Sequence, residues 1–403
     1  MKYQRRNCSI KYLKEFKALG TAGGLYFFRE EIMKGNPDNF LVIHGDIVCE
    51  FPLSDIIDFY EAKQELSKQK LDGVLFGIKP TNYDLFTTMK NTEKSSLGVI
   101  VSDKTTGKVV HYVENPETKI SDVFNGGIYL FNDQLFKRLG NAKISKITQA
   151  QNSSNFGSGH DDEDIISMET DILRNLPEYG NTYVYEYRGF WHAIKTPADA
   201  LTANKLYLEK LNKAGLSSTN PSAVSSPISS TPLHRRQDTV DRIILQQASV
   251  NIVPPVFIHP TAKIDYEQGT KIGPYVSIGE NVVVGAGARI TNSIVLDDVT
   301  IRSGALISNS IISYNCTIGS WARVEGTGIN TASITEILKQ AGGEKFKELL
   351  AAHESFKVIG IKDSGHISIL GSGTDVSEEA YVLNSFILPN KSIKHDVKYE
   401  IVM

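Results

Sequence analysis

Over residues 255–321, aliphatic side chains recur every six positions. Ile272, Ile278, Val284, Ile290 and Leu296 form one unbroken series, and Val276, Val282, Ala288 and Ile294 form a second. A strand repeats every two residues and a helix every 3.6, so neither explains a period of six. That period arises when each side of a triangular coil turns one aliphatic residue inward. Stacked coils then bury an apolar column that no single coil could bury. Gly273, Gly279 and Gly285 each follow a member of the first series and suit a tight corner. The register slips near 301–307, where Ile301 and Ile307 replace the expected positions, and returns at Ile312 and Ile318. A last series, Leu370, Val376, Val382 and Leu388, resumes the pattern. The spacing predicts a hexapeptide parallel β-helix over residues 251–403; chance alternation in a β-sandwich is the alternative.

Residues 326–362 interrupt the period. Ser333-Ile334-Thr335-Glu336 has the form of a capping box, with Ile334, Ile337 and Leu338 on one helical face behind it. After Gly342-Gly343, the positions of Phe346, Leu349 and Leu350 suggest a second short helix. Such an insertion is either a partner-binding element or a tolerated ornament. Residues 214–250 open on a Ser/Pro/Thr-rich stretch that cannot bury a core and read as a linker.

Residues 1–213 follow another pattern. Phe40-Leu41-Val42-Ile43 is a continuous apolar run, as in a strand buried on both faces. Further strands are predicted at 72–78, 109–113, 127–131 and 182–187. Helices are predicted at 55–68, capped by Ser54, and at 197–211. Alternation of this kind implies an α/β domain with helices on both sides of its sheet. The polar stretch 142–163, with its acidic end Asp161-Asp162-Glu163-Asp164, reads as a solvated loop.

Bulk properties narrow the function classes. The net charge of −3 gives no pull toward nucleic acid or an anionic membrane. No apolar run reaches the ~20 residues a bilayer span needs, and no apolar segment follows the basic N-terminus as a secretory signal requires. Cys8, Cys49 and Cys316 are far apart and show no metal or disulfide spacing, which fits a reducing, cytoplasmic setting.

Chemistry is expected beyond the carboxyl ends of the strands. Asp46 lies just past residues 40–43, where a carboxylate can hold Mg²⁺ against a phosphate; a strand-end Asp is equally a turn residue. Leu19-Gly20-Thr21-Ala22-Gly23-Gly24-Leu25 is Gly-rich and opens a helix, so its N–H groups could approach a nucleotide.

Taken in order, these segments form a longer series. It continues with Val113-Glu114-Asn115-Pro116, Asn125-Gly126-Gly127-Ile128-Tyr129 and Gly189-Phe190-Trp191, and ends in the hexapeptide repeats. In this order the chain resembles the sugar-nucleotide pyrophosphorylases, and among them the GDP-mannose pyrophosphorylase (mannose-1-phosphate guanylyltransferase) family. His111-Tyr112-Val113-Glu114, Trp321-Ala322-Arg323-Val324-Glu325-Gly326-Thr327 and the segment from Leu383-Asn384-Ser385 to Pro389 are similar to its alpha-type, regulatory branch. The resemblance implies an incomplete Rossmann-like nucleotidyltransferase domain followed by a left-handed β-helix. It implies nucleotide contacts at Gly20, Thr21 and Ala22. Gly98, Glu114, Asn125 and Gly126 would form the sugar side, and Asp46 would hold a metal, with Mg²⁺ present when nucleotide binds. The ligands would be GDP-mannose or GTP. The partners would be a catalytic GDP-mannose pyrophosphorylase subunit and further copies of this chain, joined through the β-helix.

Departures from the family pattern point away from independent turnover. The family opens with a strand and a Gly-rich loop bearing Arg and Lys, which has no counterpart after Met1; the implied domain lacks its N-terminal part and exposes a sheet edge. The family's sugar-phosphate lysine is Asn115 here, which carries no charge, and its second metal carboxylate is Ala193. His44 replaces an asparagine, and His192, a poor ligand for Mg²⁺, reads as structural. Three alternatives remain. A competent guanylyltransferase is one. A non-enzymatic subunit of the translation-initiation exchange factor shares the two-part plan. A hexapeptide acyltransferase would need a histidine that residues 264–321 lack.

Overall fold

The computed structural model describes residues 9–80, 98–152, 164–213, 251–267, 269–327 and 367–403. The linker at 214–250 and the helices expected within 326–362 lie outside the described residues. The chain divides into two compact units, Met1–Trp191 and His192–Met403.

The first unit is built on a mixed sheet. Its strands are β1 (Phe40–Ile43), β2 (Ile47–Cys49), β3 (Gly73–Ile78), β4 (Val99–Ser102), β5 (Val109–Val113), β6 (Phe124–Phe131) and β7 (Thr182–Tyr187). The sheet order is β5-β4-β6-β3-β7, with β1 also beside β6, while β2 pairs outside this sheet. The β3–β7 pair is parallel, whereas β6 runs antiparallel to β1, β3 and β4. Both β3 and β6 are buried along their whole length, as continuous apolar runs should be. The run at 40–43 departs from that expectation: β1 is only half-buried, and Ile43 is 40% exposed. The reason is position. Among the described residues β1 pairs with β6 alone and so forms a margin of the sheet.

The helices are α1 (Gly20–Phe27), α2 (Arg29–Ile32), α3 (Leu53–Leu66), α4 (Gln134–Asn152) and α5 (Leu176–Tyr179), with a π-helical turn at Met168–Leu173. Ile56 and Tyr60 of α3 are buried four residues apart on one face. The expected cap at Ser54 is displaced. The helix already begins at Leu53, and Pro52 stands at the cap position, its carbonyl accepting from the Ile56 N–H. Leu135 and Leu139 of α4 join Ala22, Leu75, Tyr129 and Ile166 in one apolar core.

In the second unit, α6 (Asp199–Lys213) packs on the β-helix. Asn204 bonds the Tyr275 carbonyl and the Ser277 hydroxyl at 3.3 and 2.5 Å, and the Lys205 ammonium lies 4.9 Å from the Tyr275 ring centroid. Three six- or seven-stranded parallel sheets form the sides of the coil, in the left-handed hexapeptide architecture. Ile272, Ile278, Val284 and Ile290 point inward as predicted, each at most 1% exposed.

The repeat then corrects the strict period of six. Val295, not Leu296, enters the core, and buried Ser293 replaces Ile294 in the second series. The slip therefore falls before 295, not at 301–307. It recurs between Ile307 and Ile312 and between Val382 and Ile387, and stacks Asn292 on Asn309, Ser293 on Ser310 and Ser368 on Ser385, each pair 17 residues apart. One side of the triangle is a residue short, and that corner carries asparagine in the left-handed region: Asn292, Asn309 and Asn384, with φ of 40, 46 and 45°. The Asn292 amide donates to Asn309 at 2.7 Å, and Asn309 donates to the Gly326 carbonyl at 2.7 Å. Beneath the corner, Ser293, Ser310, Ser368 and Ser385 are fully buried or nearly so, each hydroxyl donating to a backbone carbonyl at 2.6 to 2.7 Å. The same slip places Ile387 inside and leaves Leu388 43% exposed.

Of the three corner glycines, Gly273 takes the expected left-handed corner with a φ of 105°, while the other two have a different reason. Gly279 and Gly285 do not adopt positive φ. A Cβ there would stand 2.9 Å from the Asp297 nitrogen and 2.8 Å from that of Ser303, so close stacking of the next coil excludes a side chain. Among the described residues, no helix is long and apolar enough to cross a membrane.

Candidate functional site

Two strands turn polar side chains toward one place. Tyr112 on β5 and Glu114, the residue just past its end, lie two residues apart on one face. Asn125 and Tyr129 meet on β6 because a bulge at Gly126-Gly127 shortens the distance between them. Gly127 needs its φ of 71° for that bulge, and any Cβ would stand 3.0 Å from the His44 ring. A Cβ on Gly126 would strike Phe76, and its carbonyl accepts from the Trp191 indole at 3.0 Å. Gly126 thus shapes the site's backbone.

The polar atoms form a closed network. The Asn125 amide nitrogen donates to the hydroxyls of Tyr112 (3.2 Å) and Tyr129 (2.9 Å). Its oxygen accepts from the Gly127 N–H (3.1 Å) and lies 3.1 Å from the Tyr129 hydroxyl. Asn125 is buried, and every polar position on its side chain is engaged within the protein. The Tyr129 hydroxyl also lies 3.4 Å from His44 Nε2. Burial keeps the phenols of Tyr112 and Tyr129 protonated well beyond the ordinary range, with the Glu114 carboxylate adding to the effect on Tyr112.

Glu114 ends the network. The Tyr112 hydroxyl donates to its Oε2 at 2.7 Å, and its other oxygen takes no hydrogen bond among the described residues. Gly98 lies against both: a Cβ there would strike the Tyr112 hydroxyl and stand 2.6 Å from the carboxylate. Burial raises the Glu114 carboxyl above its ordinary value; the Tyr112 bond partly opposes this, and the charge of Glu169 adds to it. A raised folded-state pKa favours the fold below the unfolded value and loses that contribution as pH rises through the folded one. We therefore expect Glu114→Gln to melt higher than the parent at pH 7, with the gap closing at acid pH. Thermal melts at both pH values check this, and a lower melting temperature at pH 7 contradicts it.

The Gly-rich helix sits on the other flank. Ala22 is fully buried and donates its N–H to the Ile166 carbonyl at 2.9 Å. Gly20 has a φ of 78° and faces the same carbonyl closely. The Thr21 hydroxyl donates to Glu169 Oε2 at 2.8 Å and accepts from the Met168 N–H at 2.7 Å. Residues 166–169 therefore engage the three positions expected to meet nucleotide, and of the polar stretch expected as a loop, 142–152 lie in α4.

The remaining positions are separate from this network. Asp46 is half-buried in the turn it forms with Gly45 between β1 and β2. Asn115 is exposed with a φ of 49°, a conformation asparagine takes more readily than most residues. Ala193 ends the strand Trp191–Ala193 and offers no donor. His192 Nε2 lies 3.2 Å from Asp199, whose carboxylate also accepts from the Lys195 and Thr196 N–H groups at the start of α6. Burial pushes Asp199 up, but these bonds outweigh it and hold the carboxyl below its usual range. Among the described residues, no three His, Cys, Asp or Glu side chains are grouped to hold a metal ion. With Ala193 at the second position, the described residues give Asp46 no companion carboxylate there, and this donor set does not fit a metal held by the protein itself.

Sequence reading missed the two tyrosines as partners, although alternation along β5 and spacing on β6 carry the signal. Glu169 left no such signal, because its neighbours in the site are distant in sequence.

Comparison with known proteins gives two family matches. Residues 2–209 match the model described as Nucleotidyl transferase, and residues 252–402 match the GMPPB C-terminal domain. A probable mannose-1-phosphate guanyltransferase of Schizosaccharomyces pombe is 33% identical over 98% of this chain and 80% of its own length. A mannose-1-phosphate guanylyltransferase regulatory subunit alpha-A of Danio rerio is 33% identical over 98% and 82%. A mannose-1-phosphate guanyltransferase alpha-A of Xenopus laevis is 32% identical over 99% and 83%.

Proposed function

The chain belongs to the mannose-1-phosphate guanylyltransferase family, and from that membership we propose that it is an alpha-type, regulatory subunit supporting GDP-mannose synthesis. One observation carries this reading. The Tyr112–Glu114–Asn125–Tyr129 network is fully assembled, while Asn115 and Ala193 occupy the positions where catalysis would need a cation and a metal carboxylate.

The chemistry of the two halves differs. A carboxylate with one oxygen unbonded among the described residues suits a sugar hydroxyl, which donates to it. Guanylyl transfer needs positive charge against the phosphates in the transition state. Asn115 and Ala193 supply none, so this chain binds a nucleotide sugar without driving its formation. GDP-mannose or GTP is the ligand, with Gly20, Thr21 and Ala22 on the nucleotide side, and Gly98, Glu114, Asn125 and Gly126 on the sugar side. Mg²⁺ would enter only with the nucleotide's phosphates, beside Asp46. The catalytic partner is a guanylyltransferase subunit, as the relatives' regulatory names imply for those proteins. Copies of the chain associate through the β-helix, in the cytoplasm.

Purified full chain is titrated with GDP-mannose, then assayed with mannose 1-phosphate, GTP and Mg²⁺, alone and with a catalytic subunit. We expect binding without turnover alone, and altered turnover in the mixture. Sustained GDP-mannose formation by the chain alone overturns the regulatory reading in favour of a competent enzyme.

A further inference from the structure

The three sides of the β-helix differ in the chemistry they turn outward. On the side that carries Lys271, the outward positions stacked in register are Lys271, Arg289, Leu306, Arg323 and Tyr381, and its three cations are exposed. The side that carries Lys263 is also polar, with Thr300, Thr317 and Asp375 following in register. The seven-stranded side is unlike either. Past Ser277 its outward positions are Ile294, Ile311, Ile369, Phe386 and Ile401, each stacked in register on the next and each partly exposed. No charged side chain interrupts this column.

The helix α6 shows that this side is a packing face. Asn204 meets the Ser277 hydroxyl at 2.5 Å, and the helix lies against the strand Ser293–Val295, which carries Ile294. The column then runs on through Ile311, Ile369, Phe386 and Ile401. Leu388, turned outward by the one-residue slip, is 43% exposed two residues beyond Phe386. An apolar stripe of this kind on an otherwise polar coil marks an interaction surface. A second copy of the chain answers it without any change of chemistry. Turned about a two-fold axis, the column meets itself, apolar rung against apolar rung, at the ~10 Å spacing of packed sheets. The side that carries Lys271 has no such option, because a copy would set a second row of cations against Lys271, Arg289 and Arg323.

We propose that the outward column Ile311, Ile369, Phe386 and Ile401 is the face through which two copies of this chain pair, with α6 bounding the contact at Ile294. The proposal rests on the reading above that copies associate through the β-helix, and it names the side and the symmetry of that association. In a two-fold interface each residue occurs twice, so a charge placed on the column is buried twice over.

The test is sedimentation of the full chain over a range of about 1 to 100 μM, with thermal melts as a check on folding. It compares the parent with Phe386→Lys, Phe386→Glu, Ile369→Ser and Val283→Lys. Val283 is 42% exposed on the side that carries Lys263 and serves as the control. The parent should pair reversibly. Phe386→Lys should raise the dissociation constant more than about tenfold, and Val283→Lys should change it less than about twofold. Ile369→Ser adds no charge, so it should weaken pairing while keeping the parent's fold even where Phe386→Lys melts early. Mixing Phe386→Lys with Phe386→Glu should restore pairing, which a merely structural effect would not do. Unchanged pairing in Phe386→Lys and Ile369→Ser, equal loss in Val283→Lys, or a mixture of folded variants that stays apart overturns the inference. So does a parent that is monomeric throughout, or a Phe386→Lys chain that still pairs but no longer joins a catalytic guanylyltransferase subunit. The regulatory reading is decided separately, by GDP-mannose binding and by the turnover of the catalytic subunit in the mixture.

Discussion

Val295→Asp should unfold the β-helix, and Leu296→Asp, one residue on, should leave it standing. A strict six-residue period counts Leu296 inward from Ile290, so it predicts the opposite order. The structure puts Val295 at 1% exposure in the column and leaves Leu296 half-buried outside it. Val295 pairs in register with Ile278 on one side and Ile312 on the other, both fully buried. A carboxylate there has no cation to meet and would have to stay protonated or drag water into the stack. Uncompensated buried charge costs roughly 3–5 kcal/mol. That is a large share of the ~5–15 kcal/mol by which domains are stable. At half-buried Leu296 the same carboxylate can turn toward water, so its cost stays well below that of a charge sealed in the column. Urea denaturation followed by circular dichroism separates the two. Equal midpoints, or a lower one for Leu296→Asp, would show that the short corner is misplaced.

That one-residue offset marks what was legible in the sequence. The coil was visible because Ile272, Ile278, Val284 and Ile290 hold an unbroken six-residue spacing over more than one turn. The short side was not, because its cause lies in the backbone. Asn292 and Asn309 take left-handed conformations and bond each other across coils, a contact 17 residues apart that no local pattern displays. In the first unit, β5 and β7 fall on their predicted residues, since alternation and aromatic content are local signals. The burial of β1 failed because a hydrophobic run does not reveal how many strands flank it. Glu114 and Asn125 were found only through the order of motifs. Their partners, Tyr112 and Tyr129, were within the same quoted segments but gained meaning only when the Gly126-Gly127 bulge brought them together. Glu169 and Thr21 lie 148 residues apart, so only the folded chain could join them.

Asn125→Ala should cost about 2–4 kcal/mol of stability and also abolish tight nucleotide-sugar binding. Both effects follow from a saturated side chain. The amide supplies two donors and two acceptor positions, and the network uses all of them. Alanine leaves the buried Gly127 N–H without its acceptor and the buried Tyr129 hydroxyl with only the 3.4 Å approach of His44. It also frees the Tyr112 ring to move, and with it the bond that holds Glu114. Conservative removal tests whether these losses are coupled. Tyr112→Phe deletes the Glu114 bond but leaves Asn125 three of its four hydrogen bonds, to Tyr129 and Gly127. If Asn125 organises Glu114 through Tyr112, the double variant should bind GDP-mannose no worse than Asn125→Ala alone, since the path is already broken. Independent roles would instead give additive losses in the double-mutant cycle. An Asn125→Ala variant with unchanged melting temperature and unchanged affinity would remove Asn125 from the site, and Glu114 would then have to be positioned by the backbone at Gly98.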